Sequence, residues 1–137
     1  MVLVDTPVWS LALRRSPTDL SPRQRSVRKA LEELISEGRV VLLGAIRQEL
    51  LSGIREDSQY QRLRNSLRAF PNVDLIAEDY EEAARISNLC RTGGIAGSPV
   101  DFLICAVALR REWSIFTLDQ DFARYSRHIP LRLFQQK

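Results

Sequence analysis

Histidine is nearly absent from this sequence: His128 is the single one among 137 residues. Zinc sites built from several imidazoles, and catalysis by a histidine pair, are therefore excluded. Cysteine is almost as scarce. Cys90 and Cys105 form no C-x-x-C, and both lie in apolar helical patterns, so they read as free thiols in a reducing cytosol. Lysine is confined to Lys29 and Lys137, which leaves arginine as eighteen of the 20 basic residues. Arginine's planar fork suits phosphate, so nucleic acid is an admissible partner. Genome composition produces the same bias equally well, and charge alone assigns nothing. No apolar run approaches the roughly 18–20 residues of a membrane-spanning helix, and no G-x-x-x-x-G-K-[ST] phosphate loop is present. The opening Met1-Val2-Leu3-Val4-Asp5 lacks the basic stretch and cleavage site of a secretory signal, so a cytoplasmic protein without a membrane partner is expected.

What is present suits one globular unit. A 45% hydrophobic content can fill a single core, 27% charged residues can cover it, and the net charge is a modest +3. Residues 1–137 are expected to form one domain.

Strand and helix patterns alternate along the chain. Met1 to Val4 is an apolar run that stops at Asp5, and Pro7 is read as marking the end of that strand. Ser21-Pro22 supplies a helix cap and first turn, followed by Val27, Leu31 and Leu34 at helical spacing, with Gly38 as the stop. Val40 to Leu43 reads as a buried strand, and a helical stretch follows through Ile46, Glu49 and Leu50 to Gly53. An arginine-rich helix is expected from about Ser58 to Phe70, then a strand over 73–77 and a helix from Glu78 to Arg91. Gly93 to Gly97 reads as a flexible connection. Ser98-Pro99 opens a helix that is apolar nearly all round, and Ile115 to Leu118 forms a further strand. A short helix with Phe122 and Tyr125, then a strand over 131–134, complete the pattern. Such alternation predicts an α/β fold: a three-layer α/β/α sandwich around a mainly parallel sheet of four to five strands.

In open parallel sheets ligands bind beyond the carboxyl ends of the strands. Asp5 and Asp119 sit at two such ends, Asp121 two residues further on, Glu49 early in a following helix, and Asp101 in the first turn of the buried helix. Crowded carboxylates repel one another unless a cation intervenes, and an all-oxygen donor set suits Mg2+ or Mn2+. A dication held there can clamp a phosphodiester and activate water, which is nuclease chemistry. Each acid also has a structural explanation. Asp101 can favour the dipole of the helix capped by Ser98, and Asp119 can cap the helix of Phe122 with Asp121 in its first turn. Glu49 can simply face water. Asp5, straight after an apolar strand, has the least structural work to do.

Four short blocks then carry a family resemblance. Val2-Leu3-Val4-Asp5-Thr6-Pro7-Val8-Trp9-Ser10 resembles the opening of PIN-domain ribonucleases, particularly VapC-type toxins of bacterial toxin–antitoxin pairs. Arg47-Gln48-Glu49-Leu50-Leu51-Ser52-Gly53 is similar to their glutamate-bearing helix start, and Ser98-Pro99-Val100-Asp101 onward to their Asp-x-x-Ile-Ala segment. Thr117-Leu118-Asp119-Gln120-Asp121-Phe122 is similar to their Thr-x-Asp-x-Asp-Phe block. The blocks occur in order and together span nearly the whole chain. The resemblance implies that Asp5, Glu49, Asp101 and Asp119 form a catalytic, metal-binding cluster, with Asp121 as an auxiliary ligand. Thr6 and Thr117 would be hydroxyls that orient carboxylates or waters. It also implies one or two Mg2+ or Mn2+ ions, endonucleolytic RNA cleavage that inhibits translation or growth, a homodimer, and neutralisation by a cognate antitoxin. Pro7 departs from the serine that many relatives carry.

Two other doubly wound classes fit poorly. Receiver domains need paired acids after the first strand and a lysine at a late strand end. Haloacid-dehalogenase phosphatases need Asp-x-Asp where this chain has Asp5-Thr6-Pro7. A catalytically inactive PIN-like module that binds RNA or protein is the remaining alternative. His128 reads as a turn residue, Trp9 and Trp113 as core or interface anchors, and Cys105 as a small core hydrophobe.

Overall fold

Successive strand residues point to opposite faces of a sheet, yet Val2, Leu3 and Val4 are all fully buried. Both faces of the first strand are therefore covered, as a parallel sheet with crossover helices requires. The structure is a computed structural model that describes residues 1–136; Lys137 lies outside the described residues. Strand β1 (Val2–Val4) is central, between β2 (Val40–Val41) and β3 (Ser114–Phe116). All pairings are parallel, with Val2 opposite both Val40 and Ser114.

The sheet thus has three strands, not the expected four to five. The expected strands 73–77 and 131–134 lie at its edges without forming ladders: Asn72, just before the first, makes an isolated parallel bridge to Leu42, and Leu133 in the second makes one to Ile115. Pro71 and Pro130, each just before its segment, cannot donate to a ladder, and the helix that begins at Ala77 leaves the first segment no room to extend.

Among the described residues, seven α-helices connect and cover the strands. The first, α1 (Thr6–Leu13), stands where a strand end was expected. Pro7 is not a terminator here: it occupies the first turn, where its missing N–H costs nothing. Helix α2 (Pro22–Ser36) carries the capping box of Ser21 and Gln24 and buries Val27, Leu31 and Leu34. After β2 come α3 (Gly44–Leu51) and α4 (Asp57–Leu67), and α1 packs on both α2 and α3. Helices α5 (Ala77–Thr92) and α6 (Pro99–Arg111) form the most extensive helix pair, and α6 also lies on β3. Phe102 and the run Ile104 to Ala108 of α6 are buried, as its all-round apolar pattern predicts. Asp79 ties this pair down: wholly buried, it accepts from Arg110 and Arg111 and from the Ile76 amide. These bonds, the Arg111 hydrogen bond foremost, hold its carboxyl down at about 2. The last helix, α7 (Asp121–Tyr125), is a single turn and a half that buries Phe122 and Tyr125.

The five-residue glycine loop is not a loose connection. A Cβ on Gly93 would clash with the His128 ring, and one on Gly97 would clash with the Tyr125 hydroxyl. Both positions stay glycine-only because α7 and the residues after it pack directly against the loop. Trp9 is fully buried with its indole N–H donating to the Val4 carbonyl, so it belongs to the core. Cys90 and Cys105 are both buried free thiols.

Candidate metal centre

Every acid singled out above reaches the carboxyl edge of the sheet for a topological reason. Asp5 follows β1 directly, and Thr117 to Asp119 follow β3. Helix α3 leaves the end of β2, which brings Glu49 to the same edge. A crossover helix runs antiparallel to the strand it feeds, so α6 begins at that edge before leading into β3, and Asp101 lies in its first turn. Chain order thus delivers five carboxylates to one rim.

Their side chains do not all meet. Asp101, Asp119 and Asp121 each offer an oxygen within 4.8 Å of the other two. Asp5 joins them through a hydroxyl: Thr117 Oγ1 donates to Asp5 Oδ2 at 2.8 Å and accepts from the Asp119 amide at 3.0 Å. Glu49 joins through another. Thr6 Oγ1 donates to Glu49 Oε2 at 2.7 Å, while the Thr6 amide donates to Asp5 Oδ1 at 2.8 Å. The two threonines thus link three of the acids, Glu49, Asp5 and Asp119, into one hydrogen-bonded chain.

Asp5 also performs the structural task that the sequence reading denied it. It is the cap of α1, with its carboxylate on the first amide of the helix. The other local roles foreseen for the acids are present only in part, because Gln120 rather than Asp119 is the cap residue of α7. Ser98 Oγ accepts from the Asp101 amide, and Asp119 Oδ1 accepts from the Asp121 amide at 2.9 Å. Asp119 Oδ1 is used in this way and Asp101 Oδ2 accepts from Tyr125, so the second oxygen of each remains for a cation.

The electrostatics are those of a site short of positive charge. Asp5 is 6% exposed, and burial pushes its carboxyl up to about 6 against the opposing pull of the Thr117 and Thr6 hydrogen bonds. Repulsion from Asp101 and Asp119 adds to the rise. Burial also lifts Asp101, opposed by hydrogen bonds from Tyr125 and Ser98 and reinforced by Asp119 and Asp121. The one ion pair on the cluster among the described residues is Arg124 with Asp121 at 3.5 Å, and it is exposed and weak.

Tyr125 is the residue that sequence reasoning missed. The sequence places it only in a short helix with Phe122; its ring is buried, and its hydroxyl donates to Asp101 Oδ2 at 2.7 Å. The spacing held the clue: Asp121 and Tyr125 stand four apart, and so share one face of α7. Burial and the Asp101 charge both push this phenol upward, so it stays protonated and serves as a fixed donor. Gly97 leaves the space that its hydroxyl occupies.

The donor set fits a hard dication. It is wholly oxygen, it gathers three carboxylates within mutual reach of one ion, and Thr117 ties a fourth, the buried Asp5, to them.

The comparisons with known proteins agree with this architecture. No curated protein matches the sequence. Among solved structures, FitAcB from Neisseria gonorrhoeae superposes with a TM-score of 0.77 at 22% identity, covering 99% of this chain and 98% of that one. VapBC2 from Rickettsia felis, bound to a DNA fragment from its promoter, gives a TM-score of 0.73 at 16% identity, covering 98% of each chain. VapBC-5 from Mycobacterium tuberculosis gives 0.66 at 18%, covering 97% of this chain and 96% of that one. At such identities the likeness is one of fold. The family match reaches further, because residues 2–128 fit the PIN domain and contain every acid of the rim. The chain belongs to the PIN domain family.

Proposed function

We propose that this protein is a Mg2+- or Mn2+-dependent endoribonuclease and the toxin of a toxin–antitoxin pair. The observation that carries the reading is the convergence of Asp101, Asp119 and Asp121 on one point, with Asp5 tied to them through Thr117. The fold neighbours include VapBC and FitAB toxin–antitoxin complexes, which supports a cognate antitoxin as partner.

In this reading Asp5, Asp101 and Asp119 are the main ligands, Asp121 an auxiliary one, and Glu49 completes the catalytic set. The dication supplies Lewis acidity for the attack of water on an RNA phosphodiester. The chain's own groups prepare that step. Thr117 orients Asp5 and fixes the backbone of Asp119; Thr6 orients Glu49; Tyr125 holds one oxygen of Asp101 and so aims the other. Glu49 is exposed and has a free oxygen, which suits it to accept a proton from the attacking water. The protein acts in the cytoplasm as a homodimer. None of its described helices is long and apolar enough to cross a membrane, and its two thiols are free.

The test is expression of wild type and Asp5→Asn in a bacterium, with growth and RNA integrity read together. Discrete RNA cuts and growth arrest from wild type alone are expected. Arrest by both proteins without cuts overturns the nuclease and favours the inactive binding module.

A further inference from the structure

A groove of about 460 Å³ runs from the metal centre along the outer edge of β3, within the roughly 300–1,000 Å³ typical of ligand sites. Thr117 and Asp119 are among its lining residues, so it adjoins the carboxylate cluster. Its walls include Leu118 and Phe134, and its rim carries Gln120, Gln135 and the arginine Arg23 at the start of α2. Leu118 is 41% exposed, an unusual position for a leucine beside a charged site. Phe134 is braced from behind by Phe116, with ring centroids 4.8 Å apart. Arg23 is exposed and enters none of the ion pairs among the described residues.

We infer that this groove is the subsite for the nucleotide next to the scissile phosphate of a single-stranded RNA, with Arg23 on its phosphate and Leu118 and Phe134 against its base. The inference rests on the nuclease reading above and adds where the substrate lies. The parts match the chemistry of an unstacked nucleotide. An apolar and aromatic wall receives a base face; side-chain amides offer both donors and acceptors to its edge; a cation meets the phosphate. The arrangement also fits the electrostatics. The carboxylate cluster repels a polyanion, so the strand needs positive charge flanking the metal, and Arg23 is the cation among the described residues that line this groove. A duplex cannot present a base in this way, so the groove selects single-stranded or looped RNA.

The experiment measures binding of a fluorescein-labelled single-stranded oligoribonucleotide of mixed sequence, by anisotropy in EDTA over a series of salt concentrations. Wild type, Arg23→Ala and Leu118→Ala are compared, and their melting temperatures check the fold. Arg23→Ala should weaken binding about tenfold and lower the slope of log affinity against log salt by about 0.7, the value of one lost phosphate contact on a single strand. Leu118→Ala should weaken binding with the slope unchanged, because only a base contact is lost. Weakening by Arg23→Ala alone overturns the base slot. Binding unchanged in both variants, while wild type with Mn2+ still cuts RNA, overturns the subsite and leaves the nuclease standing. Wild type that neither binds nor cuts RNA overturns both.

Discussion

Thr117 stands between two acids, donating its hydroxyl proton to Asp5 and accepting the backbone N–H of Asp119. One side chain thereby couples the ends of β1 and β3, which lie 112 residues apart in sequence for the Asp5 contact. Thr117→Val keeps the shape and removes both bonds. Loss of the hydrogen bond that lowers the Asp5 carboxyl should move the acid limb of the activity–pH profile to higher pH. Activity at neutral pH should fall about tenfold. Thr117→Ser should restore both, and an unshifted profile in the valine variant would remove Thr117 from the site.

Asp5 makes a signed prediction for stability. Its carboxyl titrates near 3.8 when unfolded and at about 6 when folded, so folding favours its protonated form. Metal-free protein should therefore lose stability as pH rises through that window, by about 2 kcal/mol between pH 4 and pH 7. Asp5→Asn retains a capping side chain for α1 and carries no charge. Thermal melts in EDTA should show it more stable than wild type at pH 7 and level with it near pH 4. A lower melting temperature at pH 7 would contradict the crowded, desolvated cluster.

Adding Mg2+ or Mn2+ should reverse that penalty. A cation that binds only the folded state stabilises it in proportion to the logarithm of its concentration over Kd. Wild type should melt higher with increasing metal, whereas Asp101→Asn and Asp119→Asn should respond weakly. An equal response in all three proteins would place the ion elsewhere.

Tyr125 and Gly97 should fail together. Tyr125→Phe deletes the donor to Asp101 and should cost about 1 kcal/mol of stability with a drop in metal affinity. Gly97→Ala puts a methyl where the Tyr125 hydroxyl lies, so it should reproduce the same loss of metal affinity without touching any acid. Metal titrations followed by melting temperature compare the two; normal affinity in Gly97→Ala would show that Tyr125 does not hold Asp101 for the metal.

Asp79 offers the control outside the site. Its Arg110 and Arg111 partners are partly exposed while Asp79 is wholly buried. Asp79→Asn should destabilise by about 2–3 kcal/mol in urea melts, with RNA cleavage per folded molecule unchanged. The Asp79 contribution is present above the unfolded value of 3.8 and is lost as pH falls toward about 2. Its sign is thus opposite to that of Asp5.

Sequence alone determined the features that depend on neighbours along the chain. The burial of β1, the capped start of α2, the all-apolar α6 and the placement of acids after strands follow from periodicity and local caps, which act over a few residues. Proline was misread at Pro7 because one residue serves equally as a strand end and a helix start, and only the Asp5 cap decides between them. Whether 73–77 and 131–134 form strands was not legible, since a strand needs a partner: among the described residues the only bridge near the first is at Asn72, just before it, and the second is bridged only at Leu133. The tertiary structure alone decided which carboxylates meet. Asp101, Asp119 and Asp121 converge while Asp5 and Glu49 connect through threonine hydroxyls, and the Tyr125 donor and the Gly97 gap exist only where α7 packs on the glycine loop. Distances of a few ångströms between residues far apart in sequence are set by packing, and packing is a property of the whole fold.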